Sequence, residues 1–140
     1  MTKISTLIPV VAAAIIRADG SVLMQRRRRD AMHGGLWEFP GGKVKSPETA
    51  EQALIREIRE ELAISLDPAS MTPLAFSSDR AQPPQRREPY VILLYTCLKW
   101  HGVPRCLAGD AIGWFAPHEL SGLAMPPLDV PLLAALQRTI

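Results

Sequence analysis

Residues Gly41 to Ile64 read GGKVKSPETAEQALIREIREELAI, and this stretch decides how the rest of the chain is read. Ala50, Leu54, Ile58 and Leu62 recur every four residues, with a second row from Ile55, so the spacing predicts an amphipathic helix. Two starts are open to it. Ser46 suits an N-cap with Pro47 in the first helical position, and Thr49 to Gln52 forms a capping box one turn later. Glu57, Glu60 and Glu61 fall on one face of this helix, beside its apolar stripe. Three glutamates on a helix are by default a solvated face, but here like charges crowd against the core and need something to offset their repulsion. An oxygen-only cluster suits a hard cation, Mg²⁺ or alternatively Mn²⁺. Gly41 and Gly42 let backbone approach such an ion without a Cβ in the way, and their carbonyls are candidate ligands. Arg56 is placed to hold a carboxylate such as Glu48 in a bidentate pair and so orient the cluster.

Upstream, PVVAAAIIRADGSVLMQRR (Pro9 to Arg27) is two apolar runs around Ala18-Asp19-Gly20-Ser21, a strong hairpin signal. The first strand is unbroken in its hydrophobicity, as expected of one buried on both faces. The arginines Arg26 to Arg29 close the second strand and lead through a loop to the short extended piece LWEFPGGKV. Downstream, Asp67 to Arg87 is rich in Pro, Ser and Asp around one strand, PLAFSS, and YVILLYTCLKW is the strongest strand of the second half. A turn at His101 to Pro104 and a strand AIGWFAP follow. PPLDVPLLAALQRTI closes the chain as a helix with Leu132, Leu133, Ala135 and Leu136 on its stripe, entered through Pro131. Many strands with two well-separated helices predict an α+β sandwich whose helices cover a central mixed sheet.

With 140 residues, no repeat and no linker, residues 1–140 suit one domain with its own core. A formal charge of +2 is too small for a nucleic-acid coat protein, although it leaves room for a basic patch facing phosphate. Cys97 and Cys106 are the only cysteines, with no metal spacing and too few to staple a secreted fold, which favours a reducing compartment. The apolar run LIPVVAAAII is shorter than the roughly 18–20 residues that span a bilayer, and it flows into the hairpin. We therefore expect a cytoplasmic protein without a membrane anchor. His33, His101 and His118 show no metal spacing, and Trp100 and Trp114 read as core or rim.

Gly42, Glu48, Arg56, Glu57, Ile58, Glu60, Glu61 and Ile64 fall on the pattern Gly-x5-Glu-x7-Arg-Glu-U-x-Glu-Glu-x-Gly-U, with U a bulky aliphatic. The chain thus resembles the Nudix hydrolases. Ala63 stands where the pattern has its last glycine, and Pro47 where a glycine is frequent. GLWEFPGGK at Gly35 and MPPLDVPLLAAL at Met125 resemble the MutT branch, so the likeness covers almost the whole chain. It implies an α/β/α sandwich, Mg²⁺ dependence, and hydrolysis of a nucleoside triphosphate to the monophosphate and pyrophosphate, by water attacking an internal phosphorus. By the same resemblance Glu57, Glu60, Glu61 and a Gly41 carbonyl are metal ligands, Glu57 or Glu61 serves as base, and Arg56 and Glu48 complete the catalytic set. Arg27 resembles the substrate-contacting arginine, with Trp37 and Phe39 as apolar pocket walls.

The branch often carries a further glutamate before a Trp-containing strand. Here LAGDAIGW puts Ala108 there, with Asp110 two residues on as a substitute. Asp129 stands where mutation-avoidance enzymes often have asparagine and where relatives acting on CTP or modified pyrimidine nucleotides often have aspartate. The first expectation is therefore an 8-oxo-dGTP diphosphatase that cleans the nucleotide pool, as monomer or homodimer, with no stable nucleic-acid partner. A CTP, dCTP or 5-modified pyrimidine pyrophosphohydrolase is the alternative. A non-catalytic Nudix-fold module binding nucleotide or RNA is a third reading, against which the intact acids argue.

Overall fold

The computed structural model describes residues 2–4, 6–84, 86 and 88–139. Ile140, at the end of the expected C-terminal helix, and Arg87, at the end of the proline-rich region, lie outside the described residues. In chain order the elements are β1 Ile8–Ile16, β2 Val22–Arg26, β3 Trp37–Glu38, β4 Gly41–Lys43, α1 Ala50–Leu62, β5 Ser65–Leu66, β6 Met71–Asp79, β7 Tyr90–Cys97, β8 Trp100–His101, β9 Ala111–Phe115, α2 Pro117–Leu120 and α3 Asp129–Gln137. Seven strands form one mixed sheet, ordered β3-β2-β1-β7-β6, with β4 also on β1 and β9 on β2. Only β1 and β7 are parallel among these pairs, running together from Ile8↔Tyr90 to Ile15↔Cys97. This is the expected mixed sheet between helices.

β1 is apolar throughout because both its faces are covered. Val11, Ala13 and Ile15 pack into a core with Leu54, Ile58 and Leu62 of α1, while Ala12 and Ala14 pack with Leu132 and Leu136 of α3 on the other side. A hydrogen bond from the Tyr95 hydroxyl to Glu51 also ties β7 to the first turn of α1.

The site is positioned by a division along one edge of β1. Its last residues, Ile15 and Ile16, pair with β2, while Val10 to Ala12 pair with β4. Ala13 N–H donates to the Pro40 carbonyl at 2.9 Å, where the chain crosses from β3 to β4. β2 and β4 therefore diverge, and polar side chains occupy the opening. The crossing brings Gly41 against β1 so closely that a Cβ there would lie 1.9 Å from the Val11 carbonyl oxygen. Only glycine fits.

Of the two starts open to α1, Thr49 is the N-cap: its hydroxyl accepts from Gln52 N–H at 3.1 Å and Gln52 Oε1 accepts from Thr49 N–H at 2.9 Å. Ser46 and Pro47 lie before it, in a turn where Glu48 N–H reaches the Lys45 carbonyl at 2.7 Å. α3 begins at Asp129, so Pro131 is its third residue, where a missing N–H still leaves nothing unpaired. Three short elements escaped the sequence reading. α2 is entered through Ala116, whose N–H donates to Glu119 at 2.8 Å, and β5 and β8 form a small separate ladder, Ser65↔His101 and Leu66↔Trp100. The PLAFSS strand extends to Met71–Asp79 and accommodates Pro73 at a bulge against β7. Among the described residues no helix is long and apolar enough to cross a membrane.

α1 ends on Ala63, at φ 60° and ψ 27°, with its N–H on the Arg59 carbonyl at 3.0 Å. That left-handed conformation is the one glycine adopts freely and alanine resists. Ala63→Gly should raise stability by about 1 kcal/mol and the melting temperature by about 3 °C, measured by thermal unfolding. An unchanged or lower midpoint would show that the helix end is unstrained.

Candidate active site

Arg56 organises the acidic helix. Its Nε and Nη2 form a fork with Glu48, at 2.5 and 2.9 Å, and Nη2 also donates to the Lys43 carbonyl at 3.1 Å. Nη1 reaches Glu57 at 2.9 Å and Glu60 at 3.3 Å. One guanidinium thus joins α1 to the turn before it and to the end of β4. The Arg56 hydrogen bonds, then the Lys45 N–H, hold the Glu48 carboxyl down at about 2, and the guanidinium itself is pushed further from deprotonation.

Glu57 and Glu61, one turn apart, flank the double glycine. A Cβ on Gly42 would stand 2.3 Å from the Glu57 Cδ, so the carboxylate occupies space that any other residue would fill. Glu61 is the more enclosed. Burial, then the charges of Glu57 and Glu38, push its carboxyl up to about 8, against the Gln25 amide and the Gly41 N–H, which favour ionisation. Its Oε2 is buried and has no hydrogen-bond partner. A buried carboxylate oxygen that lacks a donor and faces a second carboxylate is what a hard cation satisfies. Glu57, Glu61 and the Gly41 backbone therefore fit a Mg²⁺ or Mn²⁺ ion. Glu60 differs: its side chain is 55% exposed and reaches Arg56 rather than the pair. Among the described residues no three acids surround one point, so Glu60 would have to turn to join them.

The other side of the opening is a second polar row. Arg27 donates to Glu38 through Nη1 at 2.7 Å and to the Met32 carbonyl through Nε at 2.7 Å, so its head is held in place. Asp129, at the start of α3, is 5% exposed and its Oδ2 accepts the Phe39 N–H at 3.0 Å. Burial pushes the Asp129 carboxyl up to about 7; the Phe39 N–H opposes this, Glu38 reinforces it and Arg27 opposes it. Phe39 contributes that backbone donor, while its ring lies in the core with Met24 and Leu132. Trp37 is half-buried, edge-on to Phe115 at 5.0 Å, with Arg26 over its ring at 5.7 Å. Asp110 pairs with Arg26 at 3.2 Å and lies 3.9 Å from Arg29, and Ala108 lines a cleft with Arg28 and Arg29. Asp110 is thus engaged by arginines, while the segment that carries it runs against the acidic helix, with Leu107 N–H donating to the Glu61 carbonyl at 3.0 Å.

Two residues at this opening were missed from sequence. Glu38 is half-buried, its side chain 17% exposed, and desolvation raises its carboxyl against the pull of Arg27 and Gln25. Gln25 is 3% exposed beside it. The available signal was a polar residue closing each of the apolar runs VLM and LW, at positions that pair across β2 and β3.

Residues 6–136 match the NUDIX domain. The chain is 36% identical over 127 residues to a CTP pyrophosphohydrolase of Escherichia coli K12, covering 89% of this chain and 88% of the relative. It is 32% identical over 130 residues to the 8-oxo-dGTP diphosphatase of the same organism, covering 91% and 95%. The solution structure of the E. coli ORF135 protein matches with a TM-score of 0.79 at 33% identity over 96% of this chain and 91% of that one. The MutT NUDIX hydrolase from Burkholderia pseudomallei matches with a TM-score of 0.77 at 31% identity, covering 94% and 99%.

Glu61 makes the stability of the metal-free protein depend on pH. Its folded-state carboxyl titrates near 8, well above its ordinary value, so between about pH 5 and 8 the folded state holds a proton that the unfolded chain has lost. Stability is full below that window and falls as pH rises through it, in sum by on the order of a few kcal/mol. Asp129 adds a loss of the same sign up to about 7. Urea unfolding of wild type should show the decline, Glu61→Gln should reduce it to the share that Asp129 contributes, and Mg²⁺ at pH 8 should restore the wild type alone. Equal slopes in the two proteins would contradict this account of Glu61.

Proposed function

The chain belongs to the Nudix family, and from that premise we propose that it is a metal-dependent nucleoside triphosphate pyrophosphohydrolase, releasing pyrophosphate and the nucleoside monophosphate. The observation that carries this reading is the buried, partnerless Glu61 Oε2 beside Glu57 and the double glycine. A divalent cation there, when bound, acts as a Lewis acid on phosphate oxygens and acidifies water. Glu57, Glu61 and the Gly41 carbonyl would hold it, and Glu60 would join them only by turning from Arg56. Arg56, locked by Glu48, fixes the angle of α1 toward the phosphates. The proton of the attacking water passes to a carboxylate oxygen of Glu57 or Glu61.

For the base we propose that Asp129 reads its edge, with Arg27 and Trp37 at the rim of the pocket. A neutral carboxyl presents one donor and one acceptor, as an asparagine amide does. That pair complements O6 and N7–H of 8-oxoguanine, and 8-oxo-dGTP is the substrate we propose first, with sanitation of the nucleotide pool as the role. It equally complements N3 and N4–H of cytosine, and the likeness to a CTP pyrophosphohydrolase favours that second reading.

Pyrophosphate release with Mg²⁺, compared as kcat/KM for 8-oxo-dGTP, dGTP, CTP and 5-methyl-dCTP, separates the two. A preference for 8-oxo-dGTP supports pool sanitation, a preference for cytosines moves the enzyme to pyrimidines, and turnover of none would overturn the hydrolase reading for these substrates. Asp129 adds a sign: its donor is present below about pH 7 and lost above it. KM for the preferred nucleotide should rise through that pH in wild type and stay flat in Asp129→Asn. Matching profiles would remove Asp129 from base reading.

A further inference from the structure

We infer that Gln25 is a positioning residue of the metal site, bridging the carboxylates of Glu38 and Glu61 and leaving its amide oxygen to receive a water carried by the cation. The inference rests on the proposal that Glu57 and Glu61 hold that cation. β2 alternates between the two cores, Leu23 toward α1 and Met24 toward α3, so Gln25 points toward α1 and the glutamates. Its cross-strand partner is Glu38, whose side chain lies on the same face. The amide lies close enough to Glu38 and Glu61 to favour the ionised form of each, and an amide with two N–H bonds can give each acid one donor.

Gln25 Oε1 is then left buried and without a partner, as is Glu61 Oε2. Two orphaned acceptors in one enclosed opening call for a group that accepts electrons from one and donates a hydrogen bond to the other. A hydrated divalent cation would do both, the carboxylate oxygen holding the ion and the amide oxygen accepting from water bound to it. Gly109 closes the opposite side, since a Cβ there would stand 2.6 Å from Gln25 Cγ and 2.7 Å from the Arg26 carbonyl oxygen. Gln25 thereby joins the Arg27–Glu38 row to the metal acids.

The test is Mn²⁺ binding to the full chain without nucleotide, followed by electron paramagnetic resonance, together with kcat and KM. Gln25→Met keeps volume and removes every hydrogen bond. It should weaken Mn²⁺ binding about tenfold and lower kcat correspondingly, with nucleotide KM within about twofold of wild type. Gly109→Ala displaces an unaltered Gln25 and serves if Gln25→Met fails to fold; it should weaken Mn²⁺ binding in wild type and add nothing in a folded Gln25→Met background. Wild-type Mn²⁺ affinity in either folded variant, while Glu61→Gln loses the ion, would overturn the role of Gln25 alone. Unchanged binding in Glu61→Gln would instead overturn the metal reading on which it rests.

Discussion

Two carboxylates one helical turn apart, pressed against a backbone that has no side chains, set the terms for the rest of this structure. Glu57 fills the space where Gly42 would carry a Cβ, and Glu61 has an enclosed oxygen with no donor. In a low-dielectric setting two such charges cannot both remain ionised without a compensating positive charge. The protein meets the requirement in part with Arg56, which engages Glu57 but leaves Glu61 to a proton or a cation. The same opening is therefore a cost to the empty fold that a divalent ion, bound as we propose, would relieve.

The sheet explains why the opening exists. Had β1 paired with one neighbour along its whole edge, β2 and the double glycine would have met in a continuous ladder. Sharing that edge between β2 and β4 separates them. The sheet side of the gap is then lined by Gln25 and Glu38, and the helix side by Glu57 and Glu61. Asp129 reaches the same region from α3, fixed by the backbone of Phe39, one residue beyond Glu38. The acids proposed to hold metal and the residue proposed to read the base are thus positioned by one crossing, which would tie phosphate chemistry to nucleotide choice.

Much of this was legible in the sequence, for physical reasons. α1 announces itself through the period of Ala50, Leu54, Ile58 and Leu62, and the first hairpin through Asp19-Gly20. The Arg56–Glu48 fork follows from residues eight apart across a helix start, and the structure forms it. Edge sharing along β1 is a tertiary choice with no local signature. β5, β8 and α2 are too short to show a period, and Ser46-Pro47 looked as good a helix start as the Thr49 box that won. Glu38 and Gln25 are single polar residues at strand ends, a pattern usually belonging to solvent, and only the fold reveals that Gln25 is buried and Glu38 half-buried. Spacing and the family resemblance both group Glu60 with its neighbours; its exposure and its contact with Arg56 depend on side-chain orientation, which neither sets.

The central claim is that a divalent cation completes the Glu57–Glu61 pair, and a crystal structure grown with Mn²⁺ addresses it most directly. Anomalous scattering should place a peak within direct coordination distance of carboxylate oxygens of both residues and of the Gly41 carbonyl oxygen. Ordered density for both side chains with no peak between them, or a peak elsewhere on the chain, would contradict it.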